Sequence, residues 1–379
     1  MRASVALGIT GFSLIAVTYG MARFSWGLML PAVASDIPFS SRLAGVISAC
    51  SFAAYCLAII AASLLTARYG ARLPAALAAL CAAGGLLLLA LAFSPAMLAA
   101  GLFIAGLSSG LASPALAAAV NRMIAAQQQP QVNTMINAGT AAGIILSVPL
   151  LQWLPGGWRV ACIVFSIMAL ACLLPVLRYL PGKHPDSRDG KINWRKTLLC
   201  RSLARLAIVA FISGLASAAW WSFGPELLQH HSAVDKKTTS LLWLVSGGAG
   251  IVGALTGPVA ARIGLHQVWR LSQLFMALPL LLLAHSESFT WGLFPAVALC
   301  GAGYVTVSGV LLVCGAAATA HSPASGVGVL FFMLAAGQVV GSVIFGMLYA
   351  AAGAATALTL FALLSALMMI FVPQGIHGK

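Results

Sequence analysis

Long apolar runs separated by short polar gaps divide this chain into segments of membrane-spanning length. A helix needs about 20 mostly apolar residues to cross the ~30 Å hydrocarbon core of a bilayer. The pattern predicts an all-α polytopic membrane protein with twelve transmembrane helices in two six-helix pseudo-repeats. The predicted spans lie near residues 5–31, 43–66, 73–93, 96–119, 134–154, 158–180, 204–227, 239–261, 268–285, 290–314, 326–349 and 354–373. The domains are then 1–180 and 204–379, joined by a linker over 181–203.

The basic residues indicate which side of the membrane each gap faces. If the N-terminus is cytoplasmic, fifteen Lys and Arg residues lie in inner gaps and tails, whereas only Arg42, Arg159, Lys236 and Lys237 lie in outer gaps. Cytoplasmic segments carry an excess of Lys and Arg, so both termini are predicted to be cytoplasmic. The linker over 181–203 becomes a basic cytoplasmic segment, and the expected location is a bacterial inner membrane.

Composition supports this prediction and excludes other classes. The 379 residues are 61% hydrophobic and 7% charged, against about 25% charged in soluble domains. The net charge of +14 does not indicate nucleic-acid binding, because the charges occupy the gaps between apolar runs. The eight cysteines form no C-x-x-C pair and there is no G-x-x-x-x-G-K-[ST] loop, so we expect no metal site, no cofactor and no ATP-driven transport. The expected partners are a small-molecule substrate and the lipid bilayer, with the protein acting as a monomer.

An internal repeat appears when the chain is compared with itself at an offset of 194 residues. Gly20 then matches Gly214, Trp26 matches Trp220, and Gly70 matches Gly264. With four more residues of shift, Gly139 matches Gly337 and Gly143 matches Gly341. These small residues, one turn apart, predict close helix packing. Two similar halves in one membrane are typical of transporters whose site opens alternately to each side.

The first span carries the most informative polar residue, Arg23, in the stretch TYGMARFSWGLMLP. A charge inside the membrane costs at least ~2.5–3.5 kcal/mol, so it usually faces a bundle interior or a wet cavity. At helical spacing, Tyr19, Arg23 and Trp26 share one face and Phe24 lies on the opposite face. We expect a cavity-side helix with a fixed positive charge; the alternative is that Arg23 extends to the outer headgroups.

Further polar and aromatic residues are candidates for the same role in substrate binding. The candidates besides Tyr19, Arg23 and Trp26 are Asn137, Ser217, Trp220, Tyr304 and Gln338. Taken singly, each is as well explained by a packing hydrogen bond. Together they predict one cationic anchor within a neutral polar and aromatic lining, which suits an anionic or zwitterionic molecule with an apolar body.

Proton coupling usually requires a titratable group inside the membrane. Glu226, at the outer end of the seventh span, is the only acidic residue inside a predicted span. It is therefore the candidate coupling residue, with a proton as the coupling ion. The alternative is an interfacial carboxylate at a helix end.

Two loops carry a family resemblance. Residues 63–72 read SLLTARYGAR and residues 257–264 read GPVAARIG, and both resemble the loop signature G-x-L-a-D-R-x-G-R of the major facilitator superfamily (MFS). Trp158-Arg159 is similar to the superfamily's common W-R start of a sixth helix. TYGMARFSWGLMLP resembles the first helix of its YbfB/YjiJ-like branch. The resemblance implies a 6+6 bundle, a central cavity and alternating access.

The chain departs from the signature at its acidic position, which is Ala67 in one loop and Ala261 in the other. The remaining loop residues with a conformational role by resemblance are Arg68, Gly70, Arg72, Arg262 and Gly264. Without the acid, these arginines need other partners, such as carbonyls at helix C-termini.

The resulting prediction is a secondary active transporter of a small anionic or zwitterionic molecule, not an enzyme. Export is favoured because Gly143 and Pro149 loosely match a fifth-helix motif associated with exporters. The alternatives are a multidrug or neutral-compound efflux transporter, and a transport-inactive sensor on the same fold.

Overall fold

The computed structural model describes residues 2–182, 201–251, 256–318 and 323–371. Helices build the fold in both halves of the chain. Their bounds are α1 Arg2–Ile15, a π-helix Ala16–Phe24, α2 Ser25–Asp36, α3 Ser41–Tyr69, α4 Arg72–Ala90, α5 Pro95–Met123, α6 Gln129–Trp153, α7 Gly157–Ala171, α8 Leu173–Tyr179, α9 Arg201–His230, α10 Lys236–Ala249, α11 Thr256–Ile263, α12 Leu265–Ala284, α13 Leu293–Ala318 and α14 Pro323–Met368.

Ten helical stretches of the described residues are long and apolar enough to cross a membrane. The predicted all-helical membrane fold is confirmed, whereas the count of twelve in two sets of six stays a prediction. The eleventh and twelfth predicted spans both fall in α14, which Gly353 interrupts with a φ of +81°. The eighth falls on α10 and α11, of 14 and 8 residues, with residues 252–255 between them outside the described part.

The chain divides into two compact units. The first unit contains residues 1–39 and 50–190, and the second contains residues 40–49 and 191–379. The predicted linker over 181–203 lies mostly outside the described residues, which stop at 182 and resume at 201.

In the second unit, the buried core runs along α9, α12, α13 and α14. It includes Leu206, Trp269, Val310 and Leu330, one from each of these helices. The indole Nε1 of Trp269 donates a hydrogen bond of 2.9 Å to the carbonyl oxygen of Met368, so the ring is both packed and satisfied.

Glycines allow two pairs of helices to pack at backbone distance, as the sequence predicts. In the first unit, a Cβ at Gly143 would collide with the carbonyl oxygen of Ala16, and one at Gly20 would collide with the backbone of Gly143. In the second unit, a Cβ at Gly337 would collide with the carbonyl oxygen of Phe211. Such close approach is possible only where the side chain is a hydrogen atom.

The glycine contacts are similar in kind in the two units. Gly143 faces the carbonyl oxygen of Ala16, and Gly337 faces the carbonyl oxygen of Phe211. Gly341 faces the carbonyl oxygen of Leu215, one turn further along α9. The register of the internal repeat stays a prediction.

The stretch that carries Arg23 is not an α-helix. Ala16–Phe24 form nine residues of π-helix, and the amide of Ser25 donates to the carbonyl oxygen of Gly20, five residues earlier. π-helical turns are rare, usually single, and frequent at functional sites. The prediction of one continuous α-helix through this stretch is wrong.

In each signature loop, a glycine with a positive φ directly follows the end of a helix. Gly70 follows α3 with a φ of +79°, and Gly264 follows α11 with a φ of +84°. The amide of each donates a hydrogen bond of 2.9 Å to the carbonyl oxygen four residues earlier, at Thr66 and Ala260. Left-handed glycines are a common way to end a helix.

Candidate functional site

Arg23 lies inside the first unit within a cluster of aromatic rings. Its guanidinium carbon is 4.3 Å from the ring centroid of Tyr55, 4.9 Å from that of Phe52, 5.4 Å from that of Phe24 and 5.7 Å from that of Tyr19. Its side chain is only 6% exposed. A cation over an aromatic face gains about 0.5–2 kcal/mol, so the rings offset part of the cost of burying the charge.

The neighbours of Arg23 differ from the predicted set in several respects. Tyr19 belongs to the cluster: its hydroxyl is 2.6 Å from the hydroxyl of Ser113, and its ring meets Tyr55 edge-on at 6.2 Å. Trp26 is buried. Phe24, placed on the opposite helical face by its spacing, is one of the rings around Arg23. Asn137 lies on α6 with an exposed side chain, unlike the buried Arg23.

The second unit holds a neutral polar cluster that joins three of the predicted residues. The amide nitrogen of Gln338 donates to the hydroxyl of Ser217 at 3.3 Å and to the hydroxyl of Tyr304 at 3.2 Å. Ser217 donates in turn to the carbonyl oxygen of Gly214 at 2.7 Å. Ser217 and Gln338 are buried, so these bonds satisfy groups that water does not reach.

A group of tryptophans adjoins this polar cluster. The rings of Trp220 and Trp221 lie 5.7 and 5.6 Å from that of Trp243, and Trp221 meets Tyr304 at 5.3 Å. Trp220 Nε1 donates to the hydroxyl of Ser246 at 2.9 Å. We call Trp220, Trp221, Trp243 and Tyr304 the tryptophan cluster. A narrow crevice, without room for a water molecule, is lined by Ser217, Trp220, Trp221, Met276, Cys300 and Tyr304, with Ala216 and Leu280.

Glu226 is partly buried near the end of α9, with 18% of its side chain exposed. Its Oε1 lies 3.7 Å from Nε2 of His230, one helical turn away. Its Oε2 is buried and, within the described part of the chain, has no hydrogen-bond partner. Tyr349 is close enough to interact electrostatically with this carboxylate. The carboxyl group thus combines one paired and one unpaired oxygen.

The loop arginines meet the predicted type of partner in one of three cases. Arg72 Nε donates to the carbonyl oxygen of Leu180 at 2.8 Å, just beyond the end of α8, which confirms the expectation of a helix C-terminal carbonyl. Arg122 donates a hydrogen bond of 2.9 Å to the carbonyl oxygen of Gly182, in the same segment as Leu180. Arg68 is exposed beside the ring of Tyr69, and Arg262 is exposed at the end of α11.

Trp158 and Arg159, at the start of α7, donate hydrogen bonds to the ends of two other helices of the first unit. Trp158 Nε1 donates to Asp36 Oδ2 at 2.8 Å, at the end of α2. Arg159 donates to the carbonyl oxygens of Ala90 and Ala92 at 3.0 and 2.6 Å, where α4 ends. A cation at a helix C-terminus also opposes the negative end of the helix dipole.

Sequence reasoning missed Phe52, Trp221, Trp243 and Ser246. Phe52 lies one helical turn from Tyr55, and Trp221 is the sequence neighbour of Trp220. Both could have been found from the sequence, because each is close to another aromatic residue of its cluster. Trp243 and Ser246 lie on another helix, α10, and only the tertiary fold brings them to Trp220.

The described residues form long apolar helices in two units, and each unit buries a cluster of polar side chains. These features are typical of a polytopic membrane protein of the transporter class. The sequence model of the Major Facilitator Superfamily matches residues 12–327, so the chain belongs to that superfamily. Membership indicates a transporter that binds a small-molecule substrate, not an enzyme.

Solved structures support the same fold at low sequence identity. A crystal structure of a point mutant of the nucleoside transporter NupG matches with a TM-score of 0.75 and 14% identity, covering 97% of this chain and 98% of that one. A second NupG crystal structure matches with a TM-score of 0.72 and 16% identity, covering 98% of each chain.

Proposed function

We propose that this chain is a secondary active transporter of a small anionic or zwitterionic organic molecule. In this proposal it lies in a bacterial inner membrane as a monomer, with twelve spans, domains 1–180 and 204–379, and both termini cytoplasmic. It works by alternating access and exports its substrate. The first-span sequence TYGMARFSWGLMLP supports a place in the YbfB/YjiJ-like branch.

The observation that carries the proposal is the buried guanidinium of Arg23. Charges interact more strongly in a low-dielectric interior than in water, and a guanidinium matches the geometry of a carboxylate or phosphate. Tyr19 and Trp26 adjoin Arg23 on the same stretch of chain, and Asn137 offers an exposed amide on α6. In the second unit, the neutral residues proposed to contact substrate are Ser217, Trp220, Tyr304 and Gln338.

A thermal-shift screen of the detergent-purified protein tests the substrate class. A compound that binds the folded state raises the unfolding temperature. Anionic, zwitterionic, cationic and neutral metabolites would be compared on the wild type, on Arg23→Gln and on Arg68→Gln. Arg68→Gln removes the same charge from an exposed loop position and is the matched control.

We expect anionic or zwitterionic compounds to stabilise the wild type and Arg68→Gln but not Arg23→Gln. Equal stabilisation of all three proteins by cationic or neutral compounds would contradict the anchor role of Arg23.

Glu226 is the proposed proton-coupling residue, and its Oε1 lies 3.7 Å from Nε2 of His230. A carboxyl group inside a membrane helix is a common site of proton uptake and release. In proteoliposomes, Glu226→Gln should abolish substrate-dependent proton flux, and Glu287→Gln, at an exposed loop position, should retain it. Proton flux that survives Glu226→Gln would exclude this role.

One specific observation favours a second candidate, a neutral-compound or multidrug efflux transporter. The tryptophan cluster and the Ser217–Gln338–Tyr304 network carry no charge. The likeness to NupG, a nucleoside transporter, supports the same candidate. A neutral compound that stabilises the wild type and Arg23→Gln equally would establish it. Binding without uptake would instead favour the transport-inactive sensor. The alanines at 67 and 261, which replace the acidic residue of the loop signature, are compatible with that alternative.

A further inference from the structure

We propose that the tryptophan cluster of the second unit binds a flat aromatic ring of the substrate. The inference rests on the proposed function in one respect: it takes the ligand of this cluster to be the transported molecule. It adds the chemical class of the substrate, a ring-bearing molecule with hydrogen-bond acceptors at the ring edge.

The walls of the crevice are suited to a flat ring. Trp220, Trp221 and Tyr304 line it, and the rings of Trp221 and Tyr304 are 5.3 Å apart. Trp243 lies behind the lining, with its ring 5.7 Å from that of Trp220 and 5.6 Å from that of Trp221. These separations are those of stacked and edge-on aromatic pairs. A ring that enters between these side chains would replace contacts that they now make with one another, whereas a saturated ring of the same size lacks the matching π-face.

The polar groups of the cluster suit acceptors at the edge of such a ring. The indole Nε1 of Trp243 is fully buried and has no hydrogen-bond partner among the residues that the structure describes, although its ring packs against both Trp220 and Trp221. A buried donor without a partner is uncommon in proteins and is stabilised by any acceptor that reaches it. A ring nitrogen or carbonyl oxygen of a ligand is such an acceptor.

The present crevice is the closed form of the proposed site. It has no room for a water molecule, so ligand entry requires Trp220 or Trp221 to turn aside. The side chain of Trp220 is fastened by one hydrogen bond, to Ser246, which a rotation of the indole would break. The same rotation would move the ring of Trp220 away from that of Trp243, which carries the N–H group without a partner.

The test compares ligands that differ only in ring saturation, on the full chain in lipid nanodiscs by isothermal titration calorimetry. One pair is benzoate and cyclohexanecarboxylate, which are both anions. The other pair is uridine and 5,6-dihydrouridine, which are both neutral. The proteins are the wild type, Trp220→Leu, Trp220→Phe and the control Trp291→Leu, whose indole is 78% exposed. Trp221→Leu is the second variant if Trp220→Leu does not fold.

We expect the flat member of at least one pair to bind about tenfold more tightly than its saturated counterpart. Trp220→Leu should remove this preference, Trp220→Phe should keep part of it, and Trp291→Leu should keep all of it. Preference within the neutral pair, with no binding of either carboxylate, would support the ring site and contradict the anionic substrate class. Equal binding of the two carboxylates, with no flat-ring preference in the neutral pair, would support that class and overturn the ring site.

Discussion

Arg23 in the first unit and Ser217 in the second occupy matching places in the repeat, 194 residues apart, and their surroundings differ in kind. Around Arg23, rings including Tyr55 and Phe52 face a full positive charge. Around Ser217, hydroxyl and amide groups form a neutral chain of hydrogen bonds with Gln338. Both units pack helices through glycines, and the difference is that one unit buries a charge at this place whereas the other buries neutral hydrogen-bonding groups.

The largest effect is expected from copying the charge into the second unit by Ser217→Arg. Ser217 is 3% exposed, is hydrogen-bonded to Gln338 and lines a crevice without room for a water molecule, so a guanidinium there would be buried in a space that packed side chains already fill. An uncompensated buried charge costs about 3–5 kcal/mol. We expect Ser217→Arg to lower the unfolding temperature sharply, measured by thermal unfolding in detergent. A stable Ser217→Arg protein would show that the second unit has space for charge.

A smaller effect, equal in the two units, is expected from adding one methyl group at the shared packing position. Gly143→Ala and Gly337→Ala each place a Cβ against a neighbouring carbonyl oxygen. Overpacking of this kind costs about 1–3 kcal/mol. Gly84→Ala is the matched control, because nothing lies within 4 Å of its added methyl group. If only one of Gly143→Ala and Gly337→Ala lowered the unfolding temperature, the claim that the two units pack their helices in the same way would be contradicted.

The layout of apolar helices could be predicted because a bilayer requires continuous runs of apolar residues. The π-helix at Ala16–Phe24 could not, because a change of backbone hydrogen-bond register leaves no trace in hydrophobicity. The enclosure of Arg23 was expected in general terms, whereas Phe52 and Trp243 reach their clusters through contacts between helices. Asn137 was grouped with Arg23 by residue type, yet it lies exposed on α6.

The arginines of the two signature loops are expected to differ in their contribution to stability. Arg72 holds the carbonyl oxygen of Leu180, while Arg262, in the second unit, is exposed at its helix end. A hydrogen bond of this kind contributes about 0.5–1.5 kcal/mol. We expect Arg72→Gln to destabilise the protein measurably and Arg262→Gln to leave it within experimental error. Equal effects in chemical denaturation would mean that the contact with Leu180 contributes nothing.

An effect of similar size is expected at the ring nearest to the charge of Arg23. Tyr55→Leu removes the aromatic face 4.3 Å from the guanidinium carbon and keeps an apolar side chain, whereas Tyr55→Phe keeps the face. We expect a loss of about 0.5–2 kcal/mol for leucine and a smaller one for phenylalanine. Similar unfolding temperatures for the two variants would show that the ring acts only by packing.

The most direct test of the central claim, that Arg23 selects a negative substrate, is a charge comparison on a single scaffold. The affinities of a carboxylate found in the thermal-shift screen and of its neutral carboxamide would be measured on the wild type and on Arg23→Gln. We predict that the wild type prefers the carboxylate and that Arg23→Gln binds the two equally or favours the amide. A preference for the carboxylate that is unchanged in Arg23→Gln would contradict the account and assign the charge of Arg23 to structure alone.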